Sequence, residues 1–363
     1  MTMSPFSASY AEARAKFRDA ATAAGAALST YVHPEPGPDG GELTTDCAWI
    51  GPTDATAVLV LVSGTHGVEG FCGSGAQVDW LRRGEASQLG TDQAVLLVHA
   101  INPYGFAWKR RVTHENVDLN RNFVDFSGPL PTNPDYETLA ATVKPADWSG
   151  ETQAAARKVL RAFAETHSFR AMAQAISGGQ YTHSDGLFFG GSGPTWARLT
   201  LESIFRTYLS QATDIGVVDY HTGLGPEGYA EPIISAPQGS PEYERAMAWY
   251  GLAAKSHLSG DSVSAQIAGD WLGAAPALLP HARFTGISLE YGTQDSNRVL
   301  DALRADNWLH AHGDPRSPQG QQIKAQILAA FYVDTDLWRG MVLGQSLMAV
   351  REAIAGLTQA ARS

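Results

Sequence analysis

The stretch LVSGTHGVEG, residues 61–70, closes an apolar run and opens a glycine-flanked turn. Thr56 to Val62 (TAVLVLV) has the unbroken apolar character of a strand buried on both faces. It runs into Ser63-Gly64-Thr65, and then come His66 and, three positions on, Glu69. In open α/β sheets, ligands bind beyond the carboxyl ends of strands. An i, i+3 pair on such a turn can aim an imidazole and a carboxylate at one spot, because Gly64, Gly67 and Gly70 let the backbone bend tightly. Both groups are good zinc donors, and catalytic zinc commonly takes two His and one Glu, with a fourth position left for water. A bare His-x-x-Glu also describes a surface turn with an ion pair. The strand end and the three glycines weigh against that.

Four further apolar runs bounded by turn residues read as strands: Ala94–His99, Gly216–Tyr220, Pro232–Ala236 and Thr285–Glu290. Segments of helical spacing lie between and after them: Gly73–Arg83, Glu151–Ile176, Thr195–Ala212, Pro241–His257, Asp295–Leu309, Gln321–Tyr332 and Asp334–Leu357. The charged N-terminal segment reads as one more helix. This alternation predicts an α/β fold whose largely parallel or mixed sheet is covered on both faces. Pro34–Pro38 and Pro129–Pro134 read as loops, and no repeat or low-complexity tract interrupts the chain. Residues 1–363 are therefore expected to form a single catalytic domain.

The chain is long and apolar enough (363 residues, 44% hydrophobic) to bury a sizeable core. Its net charge is −11, and Lys109-Arg110-Arg111 is the longest basic run. Nucleic acid and anionic membrane surfaces, which need a positive footprint, are excluded as partners. No stretch approaches the ~20 apolar residues of a membrane span. Charges occupy the region where a signal peptide would be apolar, and Cys47 and Cys72 make no disulfide scaffold. A cytoplasmic protein is expected, with a homo-oligomer left open.

Two other strand ends finish on groups that bind metal or move protons. VVDYHTGLG places His221 just beyond its strand, making it the natural third ligand, and Asp219 shares its strand face as an acceptor behind the imidazole. His33, His167, His257, His281, His310 and His312 read as surface or packing residues. His99 could equally be a core histidine, while His114 and His183 stay open as pocket residues. Glu290 ends FTGISLE, where an unpaired carboxylate would be costly without a purpose, so it is the candidate base; its bland alternative caps a neighbouring helix. In KRRVTHENVDLNRNF (109–123), an arginine with a neighbouring amide can grip a carboxylate, and a second arginine can stabilise an oxyanion. The bland alternative is a charged loop. A serine hydrolase is disfavoured, since Ser63-Gly64-Thr65 is no nucleophile elbow.

Taken in order, GTHGVEG, RRVTHENVDLNRNF, DYHTGLG and SLEYGT resemble the zinc carboxypeptidase superfamily, which includes the pancreatic-type carboxypeptidases and the aspartoacylase and succinylglutamate desuccinylase group. The nearest pattern is that of an uncharacterised bacterial metallopeptidase-like branch, which also includes GGQYTHSDGLFFGG (178–191). The resemblance spans Val58 to Trp338. It implies a mixed, mostly parallel sheet of about eight strands between helices. It also implies one Zn2+ per chain, held by His66, Glu69 and His221. Glu290 would be general base and then general acid, Arg111 would polarise the scissile carbonyl, and Asn120 with Arg121 would grip a substrate carboxylate. Tyr181 and His183 are candidate substrate contacts from the 178–191 segment. One departure stands out. Pancreatic-type enzymes carry a mobile pocket tyrosine before the base, whereas Ala265–Arg283 offers Trp271 and no tyrosine; the role is absent or falls to Tyr181 or Tyr229. The implied substrate is a small peptide with a free C-terminus, cleaved by a metallocarboxypeptidase, or alternatively an N-acyl amino acid. A non-catalytic binding module would be expected to have lost a ligand or the base, and none is missing.

Overall fold

The computed structural model describes residues 4–360. Its strands are β1 (Ala27–Val32), β2 (Thr44–Ile50), β3 (Ala57–Val62), β4 (Gln93–His99), β5 (Asp214–Glu227), β6 (Ala230–Ile234), β7 (Lys255–Ser256) and β8 (Arg283–Gly292). The helices are α1 (Tyr10–Ala23), α2 (Gly70–Arg83), α3 (Pro103–Ala107), α4 (Pro134–Val143), α5 (Gly150–His167), α6 (Phe169–Ser177), α7 (Trp196–Tyr208), α8 (Pro241–Tyr250), α9 (Trp271–Leu278), α10 (Ser296–His312), α11 (Pro318–Phe331) and α12 (Asp336–Ala360). One sheet takes all eight strands in the order β1-β2-β4-β3-β5-β8-β6-β7. The central pairs β3–β4, β3–β5 and β5–β8 are parallel, and β1–β2, β2–β4 and β6–β8 are antiparallel. The fold is thus the expected α/β class with a mixed, mostly parallel sheet.

The period of two along the strands sorts the core into layers. Val58, Val60 and Val62, with Leu96, Val98 and Val217, pack under α7 and α9. Leu59 and Leu61, with Leu97, Val218 and Tyr220, pack under α1, α2, α8 and α12. A third core joins α4, α5, α6, α10 and α11 and reaches the turn after β3 through Val68. Chain order reverses at β3, with β4 on one side and β5 on the other, so the carboxyl ends of β3, β5 and β8 open onto a crevice.

Several elements depart from expectation for local reasons. The strand β2 was hidden by Asp46, a buried charge that Arg14 Nε and Arg18 Nη1 neutralise at 2.7 and 2.5 Å. Pro134 does not close a loop; it opens α4, whose cap is the Asn133 side chain accepting from Tyr136 N. The expected Glu151–Ile176 helix breaks at Ser168 (φ +95), whose hydroxyl accepts from Ala171 N and starts α6. The segment expected to be helical through His257 stops at Tyr250, before Gly251 in a left-handed conformation (φ +66). Among the described residues no helix is long and apolar enough to cross a membrane, and Cys47 and Cys72 are free and buried.

The last helix is a packing element. Trp338, Val342, Val350, Ala353 and Leu357 join the α1/α2 core, and Trp338 Nε1 donates to the Gly292 carbonyl at 2.9 Å. Trp338→Ala should lower unfolding free energy by about 3–5 kcal/mol in urea titrations, the usual range for emptying a large aromatic site. The metal stoichiometry of the folded fraction should not change.

Candidate metal centre

His66 leaves β3 through Ser63-Gly64-Thr65, and Glu69 closes a short 3₁₀ turn that leads into α2. Gly67 is required here: a Cβ would lie 2.0 Å from the Gly105 backbone. His221 is carried by β5, where Val62 pairs with Asp219, so the third ligand arises beside the turn. The three side chains are buried and converge. Separations are 3.0 Å for His66 Nδ1 to Glu69 Oε1, 3.1 Å for His221 Nδ1 to Glu69 Oε2, and 3.2 Å between the two Nδ1 atoms. Donors at about 2.0–2.2 Å from a tetrahedral ion would stand roughly 3.3–3.6 Å apart. The donor set therefore fits a small divalent cation after shifts of a few tenths of an ångström.

Each imidazole has a carboxylate behind it. His221 Nε2 lies 2.6 Å from Asp219 Oδ2, and His66 Nε2 lies 3.1 Å from Asp118 Oδ1. A proton on His221 Nε2 leaves its Nδ1 lone pair free for a metal. Asp219 is itself braced by Trp271 Nε1 (2.7 Å) and Thr65 Oγ1 (2.8 Å). Asp118 stood inside the quoted 109–123 stretch, yet its part is visible only once β3 is folded against it.

Arg111 is engaged with this frame. Its Nε donates to Asp118 Oδ2 at 2.9 Å and its Nη1 to Glu69 Oε1 at 3.1 Å, while Nη2 lies 2.9 Å from His66 Nε2. Glu290 pairs across the sheet with His221 and lines the same cavity, with Leu224 N donating to its Oε1 at 3.1 Å. Burial, and then the charge of Glu69, pushes Glu290 up to about 8, with His221 pulling the other way. Glu69 behaves oppositely: burial is outweighed by His66 and His221, which hold it far below the usual carboxylate range.

Arg121 is 3% exposed and has no contact carboxylate; Asp118 Oδ1 is 3.9 Å away. Its Nη atoms donate to the Asn120 and Ser177 carbonyl oxygens, and its Nε has no partner. Burial outweighs the pull of Asp118 and disfavours its charge. Asn120 Oδ1 accepts from Trp271 N at 3.4 Å, which leaves its amide donors for the cavity that both residues line. The cavity, about 200 Å³, holds His66, His221, Glu290, Arg111, Asn120 and Arg121 in its wall.

Tyr181 and His183 are not in that wall. Tyr181 Oη donates to the Arg121 carbonyl at 2.6 Å, and His183 Nε2 pairs with Glu137 at 2.9 Å. The 178–191 segment instead meets the arginines through Phe188, which lines the cavity. Phe188, held at φ +54, lays its ring against both guanidinium groups, 5.2 Å from Arg111 and 5.6 Å from Arg121. The Phe189 carbonyl accepts from Asp118 N at 2.8 Å. Tyr229 is also outside the wall, and no tyrosine lines the cavity among the described residues. His257, read from the sequence as a surface or packing residue, is 2% exposed and lines the cavity.

Burial would lower His221, but Asp219 and then Glu69 raise it well above the ordinary imidazole value. A cation and a proton thus compete for Nδ1. Metal loading should release protons, seen as a buffer-dependent calorimetric enthalpy, and affinity should fall as pH is lowered. Asp219→Asn should weaken metal affinity by about 10–100-fold in competition with a chelator.

Over residues 6–345 the chain matches the family described as protein of unknown function, DUF2817. No curated protein matches it. Similar solved structures include bovine thrombin-activatable fibrinolysis inhibitor in complex with tick carboxypeptidase inhibitor, at 11% identity, with 98% of each chain covered and a TM-score of 0.50. Carboxypeptidase A from Helicoverpa armigera is 12% identical over 89% of this chain and 73% of that one, with a TM-score of 0.47. A succinylglutamate desuccinylase from a Silicibacter species is 14% identical over 79% and 67%, with a TM-score of 0.41. At such identities the likeness speaks to the fold. The chain belongs to the DUF2817 family and is built on the zinc carboxypeptidase-like fold.

Proposed function

We propose that this protein is a zinc-dependent hydrolase that cleaves an amide bond next to a free carboxylate, acting as a metallocarboxypeptidase on small peptides. The observation that carries the proposal is the content of one cavity. The two histidines of a His-Glu-His donor set, a buried carboxylate on the neighbouring strand and a buried guanidinium held only loosely by Asp118, at 3.9 Å, share its wall. Arg121 is only loosely paired with Asp118 and its Nε has no partner, so its remaining capacity suits an anion that arrives with the substrate.

Zinc held by His66, Glu69 and His221 would polarise a carbonyl and acidify water. Glu290 takes the proton of the attacking water and later returns it to the leaving amine. The Leu224 N–H on Oε1 leaves Oε2 for that transfer. Arg121 and the Asn120 amide hold the substrate carboxylate and so set the scissile bond at a fixed reach from Glu290. Arg111 keeps Glu69 and Asp118 in register and adds positive charge to the wall where the carbonyl oxygen becomes negative. A peptide is favoured over a small N-acyl amino acid because α12 packs elsewhere and contributes nothing to the cavity wall, while Phe169 stands half exposed at its edge. Of the C-terminal helices, α10 and Phe331 of α11 reach the wall and α12 does not.

Metal analysis and a substrate screen test this together. About one zinc per chain is expected, with hydrolysis of C-terminally free dipeptides, weaker action on N-acyl amino acids and none on amidated dipeptides. Glu290→Gln should keep the metal and lose about 10²–10⁴-fold in kcat; turnover at the parent rate would remove Glu290 from the mechanism. Arg121→Met should raise KM by roughly 10–100-fold with a smaller effect on kcat, the loss of a charged hydrogen bond. Because Glu290 must be ionised to accept the proton, kcat/KM should fall as pH drops through its pKa. Bound zinc would place that limb below 8, the value pushed up by burial and Glu69.

A further inference from the structure

The cavity has a second polar end that the reaction above does not use. His257 is 2% exposed, lines the cavity, and has no hydrogen-bond partner for either ring nitrogen. Among the described residues it is the one side chain with two such orphaned atoms. A buried polar atom without a partner is destabilising, and native proteins keep one where a ligand completes it. Burial holds the ring neutral against the pull of Asp270, so it presents one donor and one acceptor.

The sheet register shows which way this end faces. β6 and β7 run parallel, with Ile233 opposite Lys255 and Ile234 opposite Ser256, so the next positions in register are Ser235 and His257. Ile233 also sits opposite Ser288 on β8, and Ser288 precedes Glu290 by two residues on the same face. Ser235 and Ser288 thus share the face that carries Glu290, and His257, in the turn just after β7, lines the cavity with them and with Asp270. Asp270 caps α9 through Oδ2, which accepts from Gly273 N at 2.9 Å. The connecting 257–270 segment is anchored: Glu231 Oε1 accepts from Ser262 Oγ and Val263 N, and Gln174 and Gln266 exchange two hydrogen bonds.

We propose that this end is a side-chain subsite for the amino acid released by hydrolysis, and that it selects side chains that donate hydrogen bonds, through His257 and Asp270. The chemistry follows from what the wall offers. Asp270 only accepts, and the neutral imidazole and the serine hydroxyls can each accept as well as donate. A hydroxyl, carboxamide or ammonium group satisfies them. An apolar side chain leaves His257 unmet, and a carboxylate meets Asp270. The inference rests on the reading of Arg121 as the main-chain carboxylate receptor.

Calorimetric binding of free L-amino acids, the reaction's products, to the zinc-loaded protein tests it. Glutamine and lysine should bind about tenfold or more tighter than leucine, methionine or glutamate, as expected when a site built for hydrogen bonds meets a partner lacking them. His257→Phe should erase that ranking, and Asp270→Asn, which can still cap α9, should weaken lysine more than glutamine. Thermal melts check that both variants are folded, and the parent's own ranking decides without them. Leucine binding as tightly as glutamine, or a ranking untouched by His257→Phe, overturns the subsite. Binding that needs Arg121 but ignores the side chain overturns the subsite alone, whereas no binding by any amino acid overturns the carboxylate receptor as well.

Discussion

The pairing of β5 with β8 places His221 opposite Glu290, and the rest of the site depends on that register. Side chains alternate faces along a strand, so a slip of one residue would send the ligand and the proposed base to opposite sides of the sheet. The neighbouring β3–β5 register does the same for the first two ligands, because Val62 beside Asp219 fixes where the 63–69 turn departs. Asp219 serves both alignments. It holds His221 by Nε2, receives Thr65 from the turn, and is gripped by Trp271 from α9. One buried carboxylate thus links a strand, a turn and a helix.

This arrangement concentrates charge where solvent is absent. Glu69, Asp118, Asp219 and Glu290 lie within one buried region with Arg111 and Arg121. Some of these charges find each other, as Arg111 finds Asp118 and Glu69. Others do not: Glu290 is driven towards its neutral form and Arg121 lacks a contact counterion. A fold gains nothing in stability from such imbalance, and sites where local rules are broken tend to be sites of function. On the function proposed above, a divalent ion and an anionic substrate are the two ligands that restore the balance.

Much of this was legible in the sequence because each candidate residue sits at or near the end of an apolar run, although β5 continues past His221 to Glu227, beyond the strand end expected there. Continuous apolar runs reveal buried parallel strands, and His66, His221 and Glu290 follow such runs directly. Less visible were elements whose pattern is broken by compensated polar groups, such as β2 with Asp46, or whose start is marked by Pro134, a residue equally at home in loops. Asp118 and His257 were missed for a different reason. Their roles come from packing against segments distant in sequence, Asp118 against His66 and His257 against β6, and neither carries a local signal. The 178–191 segment was recognised as part of the site, but Tyr181 and His183 turned out to be tied to the Arg121 carbonyl and Glu137, leaving Phe188 to face the cavity.

Phe188 has a wider implication. Its ring lies against both guanidinium groups, whose like charges would otherwise confront each other in a region of low polarity. The ring contacts both cations without supplying a negative charge that would neutralise either. Arg111 is held by Asp118 and Glu69, and on the reading proposed above Arg121 stays available to an incoming anion. An acidic side chain in place of Phe188 would add a second counterion beside Asp118 and weaken the pull of Arg121 on an anion.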